Sequence, residues 1–315
     1  MQSLAELKSA ASVELGNASF SSRGEAIQIP ELVCGLDATH LDPESYRFIA
    51  SLQHNPYLQD QVVVLAGGAT GIGEKIAAIS AAAGAYVVIL DVAKDIEEKH
   101  RDHGRIVGVN CDITNQARVR QVMEELGRFQ KLALVAGYFG DRPEAGKLDA
   151  ANLERHMTIN ANGIAYVMDA ALSGLMNPLN RGFDPAVSTI LTKNILNPSH
   201  LSYAMSKAAE LGMVKFYENE VPKLLDKARK EVEKAGGQGE ENIPVLPRSI
   251  SYWPDNVIDT PLWGRTEEER LAKLRESYAK RGTTYEAWLK NPNPSGEVPT
   301  SWKIAINVVA DWQPY

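Results

Sequence analysis

Between Gln61 and Tyr252, short runs of aliphatic and β-branched residues alternate with longer amphipathic segments. The runs are VVVLA, YVVIL, RIVGVNC, LALVA, AVSTILT and IPVLPRSISYW, and each but the last leads into a predicted helix. Runs that are apolar at nearly every position suit strands buried on both faces. Helical segments between them supply the crossovers that parallel pairing requires. The pattern predicts an α/β fold, a doubly wound parallel sheet of Rossmann-like type with six strands evident. Residues 1–56 show no sustained period and carry turn residues at Pro30, Gly35 and Pro43, so they read as an N-terminal extension to one domain over 57–315. The charged stretch DKARKEVEKAGGQGEEN, Asp226 to Asn242, reads as a surface helix end and loop before the sixth strand.

This reading puts LAGGATGIGEKIA, residues 65–77, at the turn from the first strand into the following helix. Glycines at Gly67, Gly71 and Gly73 let backbone approach a pyrophosphate, whose charge the helix N-terminus stabilises. A P-loop would need Gly-Lys-Ser/Thr at the end of the turn, and Gly73 is followed by Glu74 and Lys75. The second strand ends at Asp91, close to the spacing of about 20 residues at which an acid accepts hydrogen bonds from the adenosine ribose. An acid there repels a 2′-phosphate, and Ala69 and Thr70 bring no cation to the turn. NAD is therefore expected over NADP. Taken singly, each feature has a plainer reading: glycines that only permit close helix packing, and an Asp that only caps the next helix.

Composition narrows the partners. A formal net charge of −7 leaves no general basic surface for a nucleic acid. Cys34 and Cys111 form neither a disulfide framework nor a ligand pair, and the six histidines include no His-Glu-x-x-His, so no metal is expected and the location expected is the reducing cytoplasm. The start MQSLAELKSAASVEL lacks the basic-then-apolar order of a secretory signal, and the most apolar run, Ile76 to Leu90, is too short to span a bilayer. No membrane partner is expected.

Further along, SYAMSKAAELG places Tyr203 and Lys207 four residues apart, on one face of a predicted helix. A phenol titrates near pH ~10 unaided, and an adjacent ammonium favours the phenolate. Tyr203 is thereby a candidate acid/base, although such a pair is also an ordinary feature of helix surfaces.

With these motifs in this order, residues 60–311 resemble the short-chain dehydrogenase/reductase family. The resemblance assigns Gly67, Gly71, Ile72 and Gly73 to the cofactor turn, Asp112 and Ile113 of CDIT to the adenine side, Ala136 and Gly137 to the fourth-strand Ala-Gly, and Asn160 of INANG to a helix asparagine that positions a water in a proton relay. It makes Tyr203 and Lys207 the central pair, with Lys207 both tuning the phenol and binding the nicotinamide ribose. The position where the family's spacing places a catalytic serine is Ile190; Thr192 offers a hydroxyl instead. TKN at 192–194, SKAAEL at 206–211 and PDNV at 254–257 further resemble the dehydrogenase part of rhamnulose-1-phosphate aldolase/alcohol dehydrogenases and sorbitol-6-phosphate dehydrogenases. That match implies Val257 near the nicotinamide carboxamide, Lys193 near a polyol or sugar-derived substrate, and a lid at about 262–295 in which Trp263, Tyr278 and Trp288 either meet substrate or pack helices.

The catalytic set implied is Tyr203, Lys207, Thr192 and Asn160, in an NAD-dependent oxidoreductase interconverting a secondary alcohol and a ketone. The family resemblance also implies a homo-oligomer, dimer or tetramer, through helices near 153–175 and 202–224. Three departures stand against full activity. Ala66 and Val135 replace the usual Thr and Asn, and a final seventh strand is absent from the pattern, which leaves a sheet edge to be covered. The alternatives are a 3-oxoacyl or keto-ester reductase, a catalytically impaired dinucleotide-binding scaffold, or a fragment or redesigned chain that folds only with a partner.

Overall fold

The computed structural model describes residues 43–52, 55–101, 104–140, 147–196, 200–254, 257, 259–260, 266–279, 282–290 and 300–313. Cys34, Trp263 and the first 42 residues lie outside that set.

Six strands form one parallel sheet: β1 Val62–Ala66, β2 Tyr86–Asp91, β3 Ile106–Asn110, β4 Lys131–Leu134, β5 Ala186–Ile190 and β6 Arg248–Tyr252. Their order across the sheet is β3-β2-β1-β4-β5-β6. The reversal of direction on either side of β1 opens a crevice beyond the carboxyl ends of β1 and β4, where α/β sheets bind ligands. Register is continuous across it, with Val63 opposite Lys131 and Ala66 opposite Leu134.

Alternation along each strand feeds two cores. Val63 and Leu65 of β1, with Val87 and Ile89 of β2, face a layer made by α1 (Pro43–Leu52), α2 (Gly71–Ala82) and α10 (Ser301–Ala310). Val62, Val64 and Ala66 face the opposite layer, where α4 (Gln116–Leu126) contributes Val119, Val122 and Met123 and α6 (Ile164–Leu175) contributes Ile164, Val167 and Ala171. This division is what continuous apolar runs require, since both faces of each strand are covered. A short helix α3 (Ile96–Lys99) follows β2, and α5 (Ala150–His156) runs through a π-helical turn, Met157–Gly163, into α6. The long helix α7 (Leu201–Lys234) ends within the charged segment Asp226 to Asn242, whose remainder forms turns before β6, as the helix end and loop anticipated there.

Residues 43–52 had no element assigned from the pattern, yet α1 buries Ile49 and Leu52 in the first core. No seventh strand lies among the described residues. The segment after α10 is instead tied to the last two strands: Trp312 Nε1 donates to Ser188 Oγ at 3.0 Å, Tyr252 Oη to Asp311 Oδ2 at 2.7 Å and Arg248 Nη2 to the Asp311 carbonyl at 2.8 Å. Within the segment expected to be a lid, α8 (Glu267–Ala279) and α9 (Tyr285–Lys290) form a hairpin with its own small core, in which Tyr278 stacks on Trp288 at 4.8 Å beside Leu274 and Tyr285. Among the described residues no helix is long and apolar enough to cross a membrane.

Candidate active site

The glycine turn joins β1 to α2 as anticipated, and its geometry explains the residue type. Gly67 has φ +87°, and a Cβ on it would lie 2.6 Å from the Ala136 backbone. A Cβ on Gly73 would lie 2.0 Å from the Gly67 carbonyl oxygen, so both positions require a bare backbone. Gly71, at φ +63°, opens α2, and the Thr70 side chain makes no capping bond to the free N–H groups there. These donors and the helix dipole point at a cleft of about 1200 Å3.

Most of the expected cofactor residues line that cleft. Asp91, Cys111, Asp112, Ile113 and Thr114 form one end, Gly67, Gly71 and Ile72 the middle, and Ala136, Gly137, Tyr138 and Phe139 the other. An elongated space with a glycine cradle at its centre and an acid at one end fits a nicotinamide dinucleotide. Gly73 lies beneath the turn, and Val257 is buried outside the lining.

The Ala66 and Val135 substitutions leave the junction intact, because Val135 N–H and Ala136 N–H both donate to the Ala66 carbonyl, at 2.9 and 2.6 Å. Asp91 anchors the turn itself: its carboxylate accepts from Gly68 N at 3.0 Å, Ala69 N at 2.9 Å and Ala93 N at 3.1 Å. The expectation of no cation at the turn is corrected by Lys99. It arrives from α3, donates to the Ala69 carbonyl at 2.8 Å and pairs with Glu74 at 2.6 Å. Tertiary folding, not local spacing, brings it there.

Tyr203 and Lys207 lie on α7 behind the far end of the cleft. A Cβ on Gly137 would meet Lys207 Nζ at 3.9 Å and Asn160 Oδ1 at 3.8 Å, and the Phe139 ring meets the Tyr203 ring edge-on at 4.9 Å. Asn160, wholly buried in the π-helical turn, uses its side chain as a clamp. Its Oδ1 accepts from Tyr138 N at 2.6 Å, while Nδ2 donates to the Tyr138 carbonyl at 2.8 Å and to Ser206 Oγ at 3.0 Å. Thr192 is buried just beyond β5, and Lys193 beside it is exposed.

Two further residues complete this end. His156 is buried with both ring nitrogens 2.6 Å from carbonyl oxygens, those of Asn152 and Phe139, and its ring lies 6.1 Å from Tyr203. Its i−4 carbonyl contact and its packing on the Tyr138–Phe139 loop left no local sequence signal. Glu210, fully buried, pairs with Lys207 at 2.7 Å, and Lys207 also donates to the Ile190 carbonyl at 2.9 Å. A signal for Glu210 did exist: it falls at i+3 from Lys207, on the stripe that continues to Val214.

These partners correct the expectation of an acidified phenol. Burial pushes Tyr203 above the ordinary phenol value; Lys207 pulls it down, and Glu210 pushes it up again. Burial also lifts Glu210 to about 7, against the downward pull of Lys207. Burial works to lower Lys207, but the attraction of Glu210 prevails and leaves it raised, hence charged.

A family model described as enoyl-(acyl carrier protein) reductase matches residues 67–222. Short-chain dehydrogenase reductase 5 of Arabidopsis thaliana is 30% identical over 168 residues, covering 50% of this chain and 63% of that relative. The matches support the short-chain dehydrogenase/reductase family. The fold agrees with that of ligand-free aldohexose dehydrogenase from Thermoplasma acidophilum, at TM-score 0.55 and 19% identity over 81% of this chain and 88% of the other. It also agrees with that of ElxO with NADP bound, at TM-score 0.54 and 18% identity over 81% and 91%. The matched part of the chain thus spans less than two thirds of that curated relative, and the family-model match, residues 67–222, encloses both the glycine turn and the Tyr203–Lys207 pair.

Proposed function

We propose that this chain is a short-chain dehydrogenase/reductase, an oxidoreductase that interconverts a secondary alcohol and a ketone with a nicotinamide dinucleotide, NAD in preference to NADP. One observation carries the reading: the glycine-cradled cleft ends at Gly137 and Phe139, directly against Tyr203, Lys207 and Asn160. When bound, the cofactor supplies or accepts the hydride. Tyr203 exchanges the hydroxyl proton, Lys207 meets the ribose beside it, Thr192 holds developing oxyanion charge, and Asn160 fixes the loop that closes the site. The preference for NAD rests on the Asp91 carboxylate at the adenosine end; Lys99 works against it, since the Glu74 carboxylate that it pairs with is shared with Lys75.

A polyol or sugar-derived substrate is the substrate proposal, carried by the 192–194, 206–211 and 254–257 segments and by exposed Lys193, whose backbone N–H bonds the Pro254 carbonyl at 3.2 Å. The acyl substrate in the description of the matching family model, an enoyl-(acyl carrier protein) reductase, supports the substrate class of a second reading, a 3-oxoacyl or keto-ester reductase using the same residues, although the bond which that description names is C=C and not the carbonyl. Engagement of Lys207 by Glu210 favours a third, a dinucleotide-binding scaffold without turnover. Support for a homo-oligomer comes from α7, where Leu201, Met205 and Phe216 leave large apolar side chains exposed. A cytoplasmic location belongs to the same proposal and rests on the sparse cysteines.

Fluorescence titration with NADH and with NADPH, followed by a panel of polyols, ketones and acyl thioesters, tests these readings against Tyr203→Phe as control. Tighter NADPH binding refutes the use made of Asp91. Thioester turnover selects the reductase reading, and NADH binding with no Tyr203-dependent rate selects the scaffold.

A further inference from the structure

Glu210 has no task in the chemistry just described, yet its position is costly. Its side chain is fully buried, one oxygen is held by Lys207 Nζ at 2.7 Å, and the other, Oε1, has no hydrogen-bond partner among the described residues. A carboxylate in such a place is tolerated when its charge is matched, and the match here is the one ammonium that the reaction is expected to use. Lys207 is itself buried, and without an anion beside it burial would favour its neutral form. Glu210 therefore keeps the lysine charged while opposing that charge at its neighbours.

The phenol is one such neighbour, on the same face of α7. Other groups packed around it add little compensating charge. His156 and His200 lie against its ring at 6.1 and 6.3 Å. On α5, Glu154 and Arg155 are exposed at the cleft; on the turn after β5, Lys193 is exposed; and on α6, Asp169 is exposed and paired with Arg120.

We propose that Glu210 is a positioning residue that holds the Lys207 ammonium and, once ionised, cancels most of its field at Tyr203 and keeps the phenol protonated, so that the site favours carbonyl reduction at mildly alkaline pH. This rests on the oxidoreductase reading above. In that direction the carbonyl carbon gains the hydride that a bound reduced nicotinamide supplies, leaving the nicotinamide oxidised. The carbonyl oxygen gains the Tyr203 proton as the C=O π bond breaks, and the resulting phenolate recovers a proton from solvent water.

The test needs no substrate. The chain has 11 tyrosines, so the near-ultraviolet tyrosinate titration of Tyr203→Phe is subtracted from that of the wild type to isolate the one of interest, and the subtraction is repeated in a Glu210→Gln background. Removing the carboxylate charge should lower the Tyr203 midpoint by about one pH unit or more, and Glu210→Asp should bring it back to within about half a unit of wild type. An unmoved midpoint in a folded Glu210→Gln protein overturns the proposal. Should that variant not fold, the double variant Lys207→Met/Glu210→Met leaves no unpaired buried charge. A midpoint close to wild type then supports cancellation, and a rise by about one unit or more, which would mean that Lys207 had dominated, overturns it. Loss of the Tyr203-dependent rate without any change in these titrations would sink the electrostatic proposal alone; normal titrations with no Tyr203-dependent rate on any substrate would sink the oxidoreductase reading instead.

Discussion

Replacing Gly73 by alanine sets two physical effects against each other. Gly73 occupies the first turn of α2, where helix propensity alone gives alanine an advantage of about 0.5–1 kcal/mol. Its Cβ, however, would sit 2.0 Å from the Gly67 carbonyl oxygen and 2.9 Å from both the Gly67 carbonyl carbon and Gly68 Cα. Nonbonded heavy atoms keep roughly 3.5 Å, so the turn and the helix would have to separate by more than about 1 Å. All three neighbours are backbone atoms, and Gly67 cannot retreat, since it is itself packed on the Ala136 backbone. Overpacking of this kind costs about 1–3 kcal/mol. Contact wins over propensity, leaving a net loss of roughly 1–2 kcal/mol and a fall in Tm of about 2–3 °C for a chain of this size. The displaced N–H groups should also weaken NADH binding by about tenfold or more, which is about 1.4 kcal/mol. Thermal melting and NADH fluorescence titration read the two effects. Gly212→Ala is the matched control: it too lies in a helix, none of the described residues beyond that helix's own backbone stands within 4 Å of the place its Cβ would take, and it should gain about 0.5–1 kcal/mol. Wild-type stability and affinity in Gly73→Ala would refute the claim that this turn is set by backbone contact.

Other outcomes follow from the same geometry. Tyr203→Phe should cut turnover on any active alcohol or ketone by about 10²–10⁴-fold while leaving the NADH dissociation constant within about twofold, measured by steady-state kinetics and fluorescence. Asp91→Ser removes a carboxylate that accepts three backbone N–H bonds, so it should cost about 1–3 kcal/mol in urea unfolding and narrow the NADH-over-NADPH preference; an unchanged preference would refute the role given to the acid. Lys131 is buried beside Asp184 and Arg248, and burial lowers it to about 8. The unfolded chain then holds this proton more tightly than the folded one, so the lysine costs stability in full below about pH 8, and the cost is relieved as pH rises towards about 10.4. Lys131→Met, which leaves Asp184 paired with Arg248, should gain roughly 2–3 kcal/mol at pH 7, and the gain over wild type should shrink at pH values above about 8; a gain constant with pH would refute the linkage.

The parts of the molecule that were legible in the sequence share a physical property: their signal is local. Six strands could be read because each is buried on both faces and so apolar at nearly every position, and Val62–Ala66 divides its side chains between two cores accordingly. The glycine turn could be read because close backbone approach excludes every other residue type at Gly67 and Gly73. Helix α1 could not, because its ten residues alone do not indicate that α2 and α10 lie ready to receive Ile49 and Leu52. Lys99 was hidden for the same reason: the Ala69 carbonyl that it meets lies 30 positions earlier in the chain.

Glu210 marks the boundary between these two kinds of information. Its spacing from Lys207 was visible, and an i,i+3 pair on a solvated helix face would contribute only a few tenths of a kcal/mol. Burial changes the meaning of that spacing. The same two charges, withdrawn from water, interact strongly enough to set each other's protonation and to act on a phenol one helical turn away. Sequence supplied the donor, the acceptor and their separation along the helix; the dielectric around them came from the packing of α7 against β5 and the Asn160 turn. That dielectric decides whether Lys207 acidifies Tyr203 or is itself held by its partner, and the proposed preference for carbonyl reduction stands or falls with the answer.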